Sequence, residues 1–280
     1  MHANTKKRCS WPAVEIASRR EIWQDLLKSP AQVVNPDNAT EGILFALALA
    51  VEQRDHHTGG HCARLAYVSS FATLPDHSSG FERLQREWIR RLHPYFAVKQ
   101  RIETDIIEAA RTGLPAVIVN PTLCVGPWDI KARELCFIPR LLSGEAPVSV
   151  THTVNVIDVR DVAIGLAAML DHEHNGQPIL LAGHNLSIEA LYTWICEIGG
   201  TSPPRIVAPI GLGAIATYWS EIALGAIGLS PPLPALAPML TMLHQPFDPD
   251  PLQMTLGIVP RPLSQTLTDA IAWYRQIDYC

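Results

Sequence analysis

Pro115-Ala116-Val117-Ile118-Val119 is a continuous apolar run with no polar side chain on either face. A strand with one face in water alternates, whereas a run apolar on both faces predicts a strand buried between two layers, as in a parallel sheet. The flanking sequence agrees. Upstream, Tyr95–Arg111 has the spacing of an amphipathic helix, ended by Thr112-Gly113. Before it, Arg64–Ser69 (RLAYVS) predicts a strand running into a corner of small residues. Downstream, Val159–Leu170 predicts a helix whose start carries Asp158 and Asp161, and Pro178–Ala182 (PILLA) predicts the next buried strand. Near the beginning, Ala13–Ala17 (AVEIA) reads as a short strand and Gly42–Gln53 (GILFALALAVEQ) as an apolar helix. Strands alternating with helices predict an α/β layer joined by crossovers.

After Gly183 the texture changes. Ser187–Ile198 predicts a helix with Ser187 as N-cap, and Arg205–Ile210 a short strand. Then come an apolar helix, a proline-rich turn (SPPLP), another apolar segment and a final helix over Leu263–Ile277. The expected division is a sheet domain over residues 1–183 and a smaller mixed lobe over 184–280, folded over the strand ends where ligands of open α/β sheets bind.

Composition narrows the classes of function. The 280 residues, 48% hydrophobic, are enough for a sizeable core. A formal charge of −5 and a pI near 6.1 give no footprint for nucleic acid. The six cysteines are scattered with no C-x-x-C pair, which predicts reduced thiols and a cytoplasmic protein. The start, MHANTKKRCSW, is basic but lacks the apolar core of a secretory signal. Gly211–Leu229 has near-spanning length but contains Glu221 and runs into Pro231-Pro232, so a buried or pocket-lining helix is expected and no integral membrane segment. The histidines, including His56, His57, His61, His172 and His174, show no metal-binding spacing, so no metal is expected.

Tyr95 and Lys99 stand four apart, one helical turn, on one face of the predicted helix. A neighbouring ammonium favours the phenolate and brings a tyrosine toward acid–base work near neutral pH. A serine at the end of the Arg64–Ser69 strand can hold a substrate oxygen. Together these groups suit proton movement at a carbonyl or carbinol while a cofactor moves a hydride.

The succession RLAYVSSFATL, YFAVK, GLPAVIVNPTLCVGP and VNVIDVRDVAIGLAAML resembles the extended short-chain dehydrogenase/reductases, the NAD-dependent epimerase/dehydratase group. It is most similar to the dihydroflavonol-reductase and hopanoid-associated sugar-epimerase type, and FDPDPLQMTLGIVPRPLSQTLTDAIAWYR matches that type's closing segment. The resemblance covers residues 13–277. It implies a Rossmann-like, mostly parallel sheet, NAD or NADP, and a catalytic set of Ser70, Tyr95 and Lys99. Tyr95 and Lys99 are also implied to face the nicotinamide ribose, with Asn120-Pro121 and Gly126-Pro127 as the loop against the nicotinamide.

One part of the family pattern is absent. The family opens with a strand and G-x-x-G-x-x-G, whose backbone N–H groups cradle the pyrophosphate. The 280 residues contain no such motif. Ala13–Ser18 aligns with the family's fourth strand, with Glu15 where a histidine is usual, and Ala39 replaces the asparagine that opens a later helix. An N-terminally truncated sheet is therefore expected, with weak or absent dinucleotide binding by the chain as given. A bare Ala13–Ala17 edge is an aggregation hazard, so a homo-oligomer or a partner chain is expected to cover it.

Between the serine and the tyrosine lie Arg83, Arg86, Arg90 and Arg91. They suit an anionic group on a substrate, or a solvated helix face paired with Glu82 and Glu87. The apolar stretches of the later lobe suit a hydrophobic small-molecule ketone, or an ordinary core. Three functions fit these residues. The first is an NAD(P)-dependent oxidoreductase or epimerase. The second is a dinucleotide-free isomerase, lyase or cyclase using the same proton-transfer groups. The third is a non-catalytic partner of a complete homologue.

Overall fold

The computed structural model describes residues 48–54, 61–75, 80–129, 137–146, 148–171, 176–229 and 233–278. The elements begin with β1 (Ala48–Arg54), β2 (His61–Val68), α1 (Gly80–Leu92), α2 (Pro94–Arg111) and β3 (Ala116–Pro121). Next come β4 (Leu123–Val125), α3 (Phe137–Leu142), β5 (Val148–Thr151), β6 (Thr153–Asp158) and α4 (Val159–Asp171). They continue with β7 (Pro178–Leu181), β8 (His184–Ser187), α5 (Ile188–Gly199), β9 (Ile206–Pro209) and α6 (Ile210–Gly225). The last helices are α7 (Leu236–Leu243), α8 (Pro251–Thr255) and α9 (Leu263–Gln276).

The main sheet has the order β1-β2-β3-β7. β2, β3 and β7 are parallel, with Leu65 opposite Ala116 and Ile118 opposite Pro178. The run 115–119 thus forms the inner strand it predicts, buried at every position from Ala116 to Pro121. Two smaller pairings extend the layer: β4-β6-β8, with β6 and β8 antiparallel, and the parallel pair β5-β9. This is the mixed, mostly parallel α/β architecture expected, with the helices of the later lobe added after β8.

One expected element differs. Residues 48–53 belong to strand β1, not to a helix over Gly42–Gln53, and β1 pairs antiparallel with β2 from Ala48↔Tyr67 to Arg54↔His61. A run apolar throughout carries no period to separate helix from strand, and the open edge of β2 offers a row of backbone partners that decides for strand. The expected strand Ala13–Ala17 lies outside the described residues, so β2's two neighbours are β1 and β3.

Side chains alternate across β2. Ala66 and Val68 join Val117, Val119, Ile179 and Leu181 in a core covered by Val162, Leu166 and Met169 of α4. Tyr67 and Ser69 point to the other face, toward α2. A second core lies under α5 and α9, built on Val156, Ile188, Leu191, Ile195, Leu267 and Ile271. Each fully buried aliphatic side chain contributes about 1.5–3 kcal/mol. Ser187 caps α5 as its position predicts, accepting from Ala190 N at 3.1 Å, and Gly200 ends it in the left-handed region at φ 72°.

Two buried polar side chains join the layers. Asn155 Oδ1 accepts from Thr122 Oγ1 at 2.7 Å and from Gly183 N at 2.8 Å. Gln253, fully buried, accepts from Ala182 N at 2.9 Å and donates to Ala182 O at 2.8 Å, extending β7 as a strand partner would.

Candidate active site

β2 stops at Val68 and the chain turns sharply through Ser69-Ser70 into a short 3-10 turn, Phe71–Thr73. Ser70 caps that turn: Ala72 N donates to Ser70 Oγ at 3.3 Å. α2 begins nearby. His93 is its N-cap, with Nδ1 accepting from Tyr95 N at 3.2 Å, and Pro94 opens the first turn, where its missing N–H costs nothing. Tyr95 is therefore fixed in the first turn, one residue inside the helix start.

These two anchors bring Ser70 and Tyr95 together. Burial pushes the Tyr95 phenol above its ordinary range, and the nearby Ser70 side chain acts in the opposite sense. At neutral pH such a phenol keeps its proton, the form that can donate to a substrate oxygen gaining charge.

Lys99 is one turn further along α2 and is buried. Its ammonium makes its hydrogen bond to the Val68 carbonyl at 3.0 Å, not to the phenol, and Nζ lies 5.1 Å from the centre of the Tyr67 ring. Burial lowers its pKa to about 8, with the Glu103 charge acting in the opposite sense. Tyr67 is also buried; burial, then the charges of Glu103 and Tyr95, hold its phenol well above the ordinary range. The Tyr67 hydroxyl has no hydrogen-bond partner.

Asn120 and Pro121 end β3 and are buried beside this cluster. Asn120 Nδ2 donates to the Ser70 carbonyl at 2.9 Å and to Glu103 Oε2 at 2.9 Å. Thr73 Oγ1 donates to the same Glu103 oxygen at 2.7 Å. Asn120 thus holds the Ser70 turn in place through its backbone, and Pro121 lies opposite Leu181 of β7. Beyond them, Gly126 has φ 155°, and a Cβ there would lie 2.6 Å from Val159 Cγ1, so the chain passes the start of α4 at a distance only glycine allows.

The structure therefore sets Ser70 near Tyr95, places Lys99 beside Tyr67 one turn away, and puts Asn120 behind the serine. Glu103 and Tyr67 were missed in the sequence. Glu103 had a signal: it repeats the four-residue step from Tyr95 through Lys99. Tyr67 had a weaker one, sharing the period-two face of Ser69. Among the described residues no three His, Cys, Asp or Glu side chains gather as a metal site.

A protein-family model described as the NAD dependent epimerase/dehydratase family matches residues 28–183, more than half of the chain. The chain belongs to this family. Similar members include a Synechocystis sp. protein whose name is that of a dihydroflavonol 4-reductase, 28% identical over 77% of this chain and 65% of its own length. Sterol demethylase protein B of Methylococcus capsulatus is 27% identical over 76% of this chain and 66% of its length. The chain thus spans just under two thirds of these curated relatives. Among solved structures, a nucleoside-diphosphate-sugar epimerase from Pseudomonas aeruginosa is 28% identical, with a TM-score of 0.57 over 76% of this chain and 67% of that one. The Rossmann-like epimerase/reductase fold is common to the family and to this chain.

Proposed function

We propose that the chain moves a proton at a carbonyl or carbinol oxygen of a small-molecule substrate, within an NAD(P)-dependent oxidoreductase or epimerase reaction. The nearness of the Ser70 side chain to the Tyr95 phenol supports this reading. A substrate oxygen entering between them can hydrogen-bond to both. Ser70 holds that oxygen and Tyr95 gives or takes its proton. Lys99 supplies positive charge one turn away, and Asn120, with Pro121, fixes the loop that carries Ser70. Phe71 and Phe96, in the apolar cluster against which Tyr95 packs, support a hydrophobic group on the substrate.

The residues present fit NAD(P) on one side. Lys99, Tyr95 and the unpartnered Tyr67 hydroxyl form a donor set suited to a ribose diol, and Asn120-Pro121 match the family's nicotinamide loop. When bound, NAD(P) supplies or takes up hydride at the substrate carbon. The second reading is proton transfer without hydride on the same Ser70–Tyr95 pair, which needs no dinucleotide.

Calorimetric titration of the chain with NADH and NADPH separates the readings. Weak binding strengthened by substrate supports the redox reaction, and turnover indifferent to both dinucleotides supports the second reading. Tyr95→Phe tests what they share: loss of proton transfer should lower turnover by about 10²–10⁴-fold. Full turnover in that variant refutes both.

A further inference from the structure

Glu103 buries a carboxylate where an amide would make the same hydrogen bonds. It is 3% exposed, and its Oε2 accepts from Thr73 Oγ1 at 2.7 Å and from Asn120 Nδ2 at 2.9 Å. A glutamine oxygen can accept both bonds without the cost of taking a charge out of water. The hydrogen bonds therefore do not account for the charge. One turn back on the same face of α2 stands Lys99, a second buried ionisable group at 7% exposure. Its ammonium makes its hydrogen bond to the Val68 carbonyl at 3.0 Å. One carbonyl, and the Tyr67 ring with its centre 5.1 Å away, leave much of the cost of burying an ammonium unmet.

We propose that Glu103 is a positioning residue for the reaction: from one turn along α2, its carboxylate keeps the buried Lys99 amine charged beside Tyr95. The inference rests on the role given above to Tyr95 and Lys99. It extends that role to a residue that acts through the lysine.

The surroundings of Lys99 agree. Burial works against its charge, and the Glu103 carboxylate works for it. The other titratable groups nearby are neutral near pH 7 or already paired. β2 brings Tyr67 and α2 brings Tyr95, both phenols that burial holds protonated. β4 brings Cys124 near Tyr95, and burial pushes that thiol up to about 12. Asp158, which acts on Cys124, is paired with Arg160 at 2.7 Å. β3 and the 3-10 turn bring Asn120 and Thr73, which do not titrate. α1 also packs on α2. Its Arg86 donates to Gln245 Oε1 at 2.8 Å, its Arg90 donates to the Ala72 and Leu74 carbonyls at 3.2 and 3.3 Å, and its Glu87 pairs with Arg83 at 3.1 Å. Thr73 and Asn120 hold the Glu103 carboxylate from two other elements, so its charge stays one turn from the amine.

Two variants separate charge from hydrogen bonding. Glu103→Gln keeps both acceptor bonds and removes the charge. Glu103→Asp keeps the charge and, one methylene shorter, gives up the two bonds. The readout is the titration of Lys99 itself, by NMR of lysine-labelled protein, with the Lys99→Met spectrum identifying its signal and circular dichroism checking each fold. The parent midpoint should lie at about 8. In Glu103→Gln it should fall to about 7 or below, the effect of losing an opposite charge at this spacing. Glu103→Asp should stay nearer the parent. The pH at which turnover declines should follow the Lys99 midpoint in each protein. An unchanged midpoint in Glu103→Gln overturns the proposal. So does a larger fall in Glu103→Asp, which would make the hydrogen bonds the working part. A midpoint that moves while the turnover profile does not also overturns it, since the charge would then serve the fold alone. Failure of the Tyr95 reading shows separately, as full turnover in Tyr95→Phe, because the Lys99 midpoint is read without turnover.

Discussion

Glu103 accepts a hydrogen bond from Asn120 at 2.9 Å, joining the middle of α2 to the end of β3. Both residues are buried, and Thr73 donates to the same carboxylate oxygen. The Ser70 turn is therefore held by Asn120, which is itself fixed by Glu103. Glu103→Leu removes the acceptor that Thr73 and Asn120 share; Thr73 keeps the Ser70 carbonyl at 2.7 Å while the Asn120 amide loses one acceptor in the core, so a cost of about 2 kcal/mol is expected. Glu103→Gln can still accept both bonds and should cost about 1 kcal/mol. Urea denaturation of the three proteins checks the order; equal stability of Glu103→Leu and the parent would show that the network contributes nothing.

The proposed catalytic set should respond in a graded way. Tyr95→Phe removes the proposed proton donor and keeps the ring against Phe96, so the fold should persist while turnover falls. Ser70→Ala removes one contact to the substrate oxygen and the cap on the 3-10 turn, and a loss of about tenfold to a hundredfold is expected. Lys99→Met should fall between them, because the lysine meets Val68 and Tyr67 and not the phenol. Steady-state kinetics in whichever assembly shows activity measure all three, and a Ser70→Ala loss larger than that of Tyr95→Phe would reverse the assigned roles.

Lys99 also gives a pH signature in stability. Burial lowers its folded pKa to about 8, below the ordinary lysine value of 10.5. Between these values the unfolded chain binds more protons than the folded one, so stability rises with pH across the window. Below the folded pKa both states are charged and the full burial cost is felt. The gain is bounded at roughly 3 kcal/mol. Burial raises the Cys124 thiol from 9.0 to about 12, so it acts in the opposite sense from about pH 9, and the buried phenols of Tyr67 and Tyr95 do so from about pH 10. Thermal unfolding between about pH 8 and 9 should show the rise in the parent and a lower slope in Lys99→Met. Identical slopes would place the Lys99 amine in a solvated position.

The inner strand was legible because it rests on local chemistry, a run apolar on both faces, and so were the serine's place at a strand end and the tyrosine's near a helix start. β1 was not legible, since Leu44–Val51 is apolar at nearly every position and its partner, the edge of β2, is known only once the sheet exists. The arginines of α1 were legible as a cluster, but periodicity gives the faces of a helix and not which of them turns inward. Lys99's partner was hidden for a related reason. Spacing places the amine on the face of Tyr95, while the Val68 carbonyl that accepts its hydrogen bond belongs to another element.

The last prediction concerns Gln253, which sits in the short helix α8 and stands in for a strand. Its amide accepts from Ala182 N and donates to Ala182 O, at 2.9 and 2.8 Å, in full burial. Both backbone groups belong to Ala182, the residue just past β7, where the sheet has run out of neighbours among the described residues. Gln253→Leu has similar size but satisfies neither, and each buried, unpaired backbone group costs about 1–3 kcal/mol. A combined loss of about 2–5 kcal/mol is therefore expected, a large share of the stability of a typical domain. Gln253→Glu should also destabilise, since a carboxylate can accept from Ala182 N but has nothing to donate to Ala182 O, and burying its charge adds a further cost. Hydrogen exchange supplies the specific readout: the Ala182 amide should lose protection in both variants before the β3 amides do. Unchanged protection at Ala182 in Gln253→Leu would mean that water replaces the side chain at no cost, and that α8 is not held to the sheet by this residue.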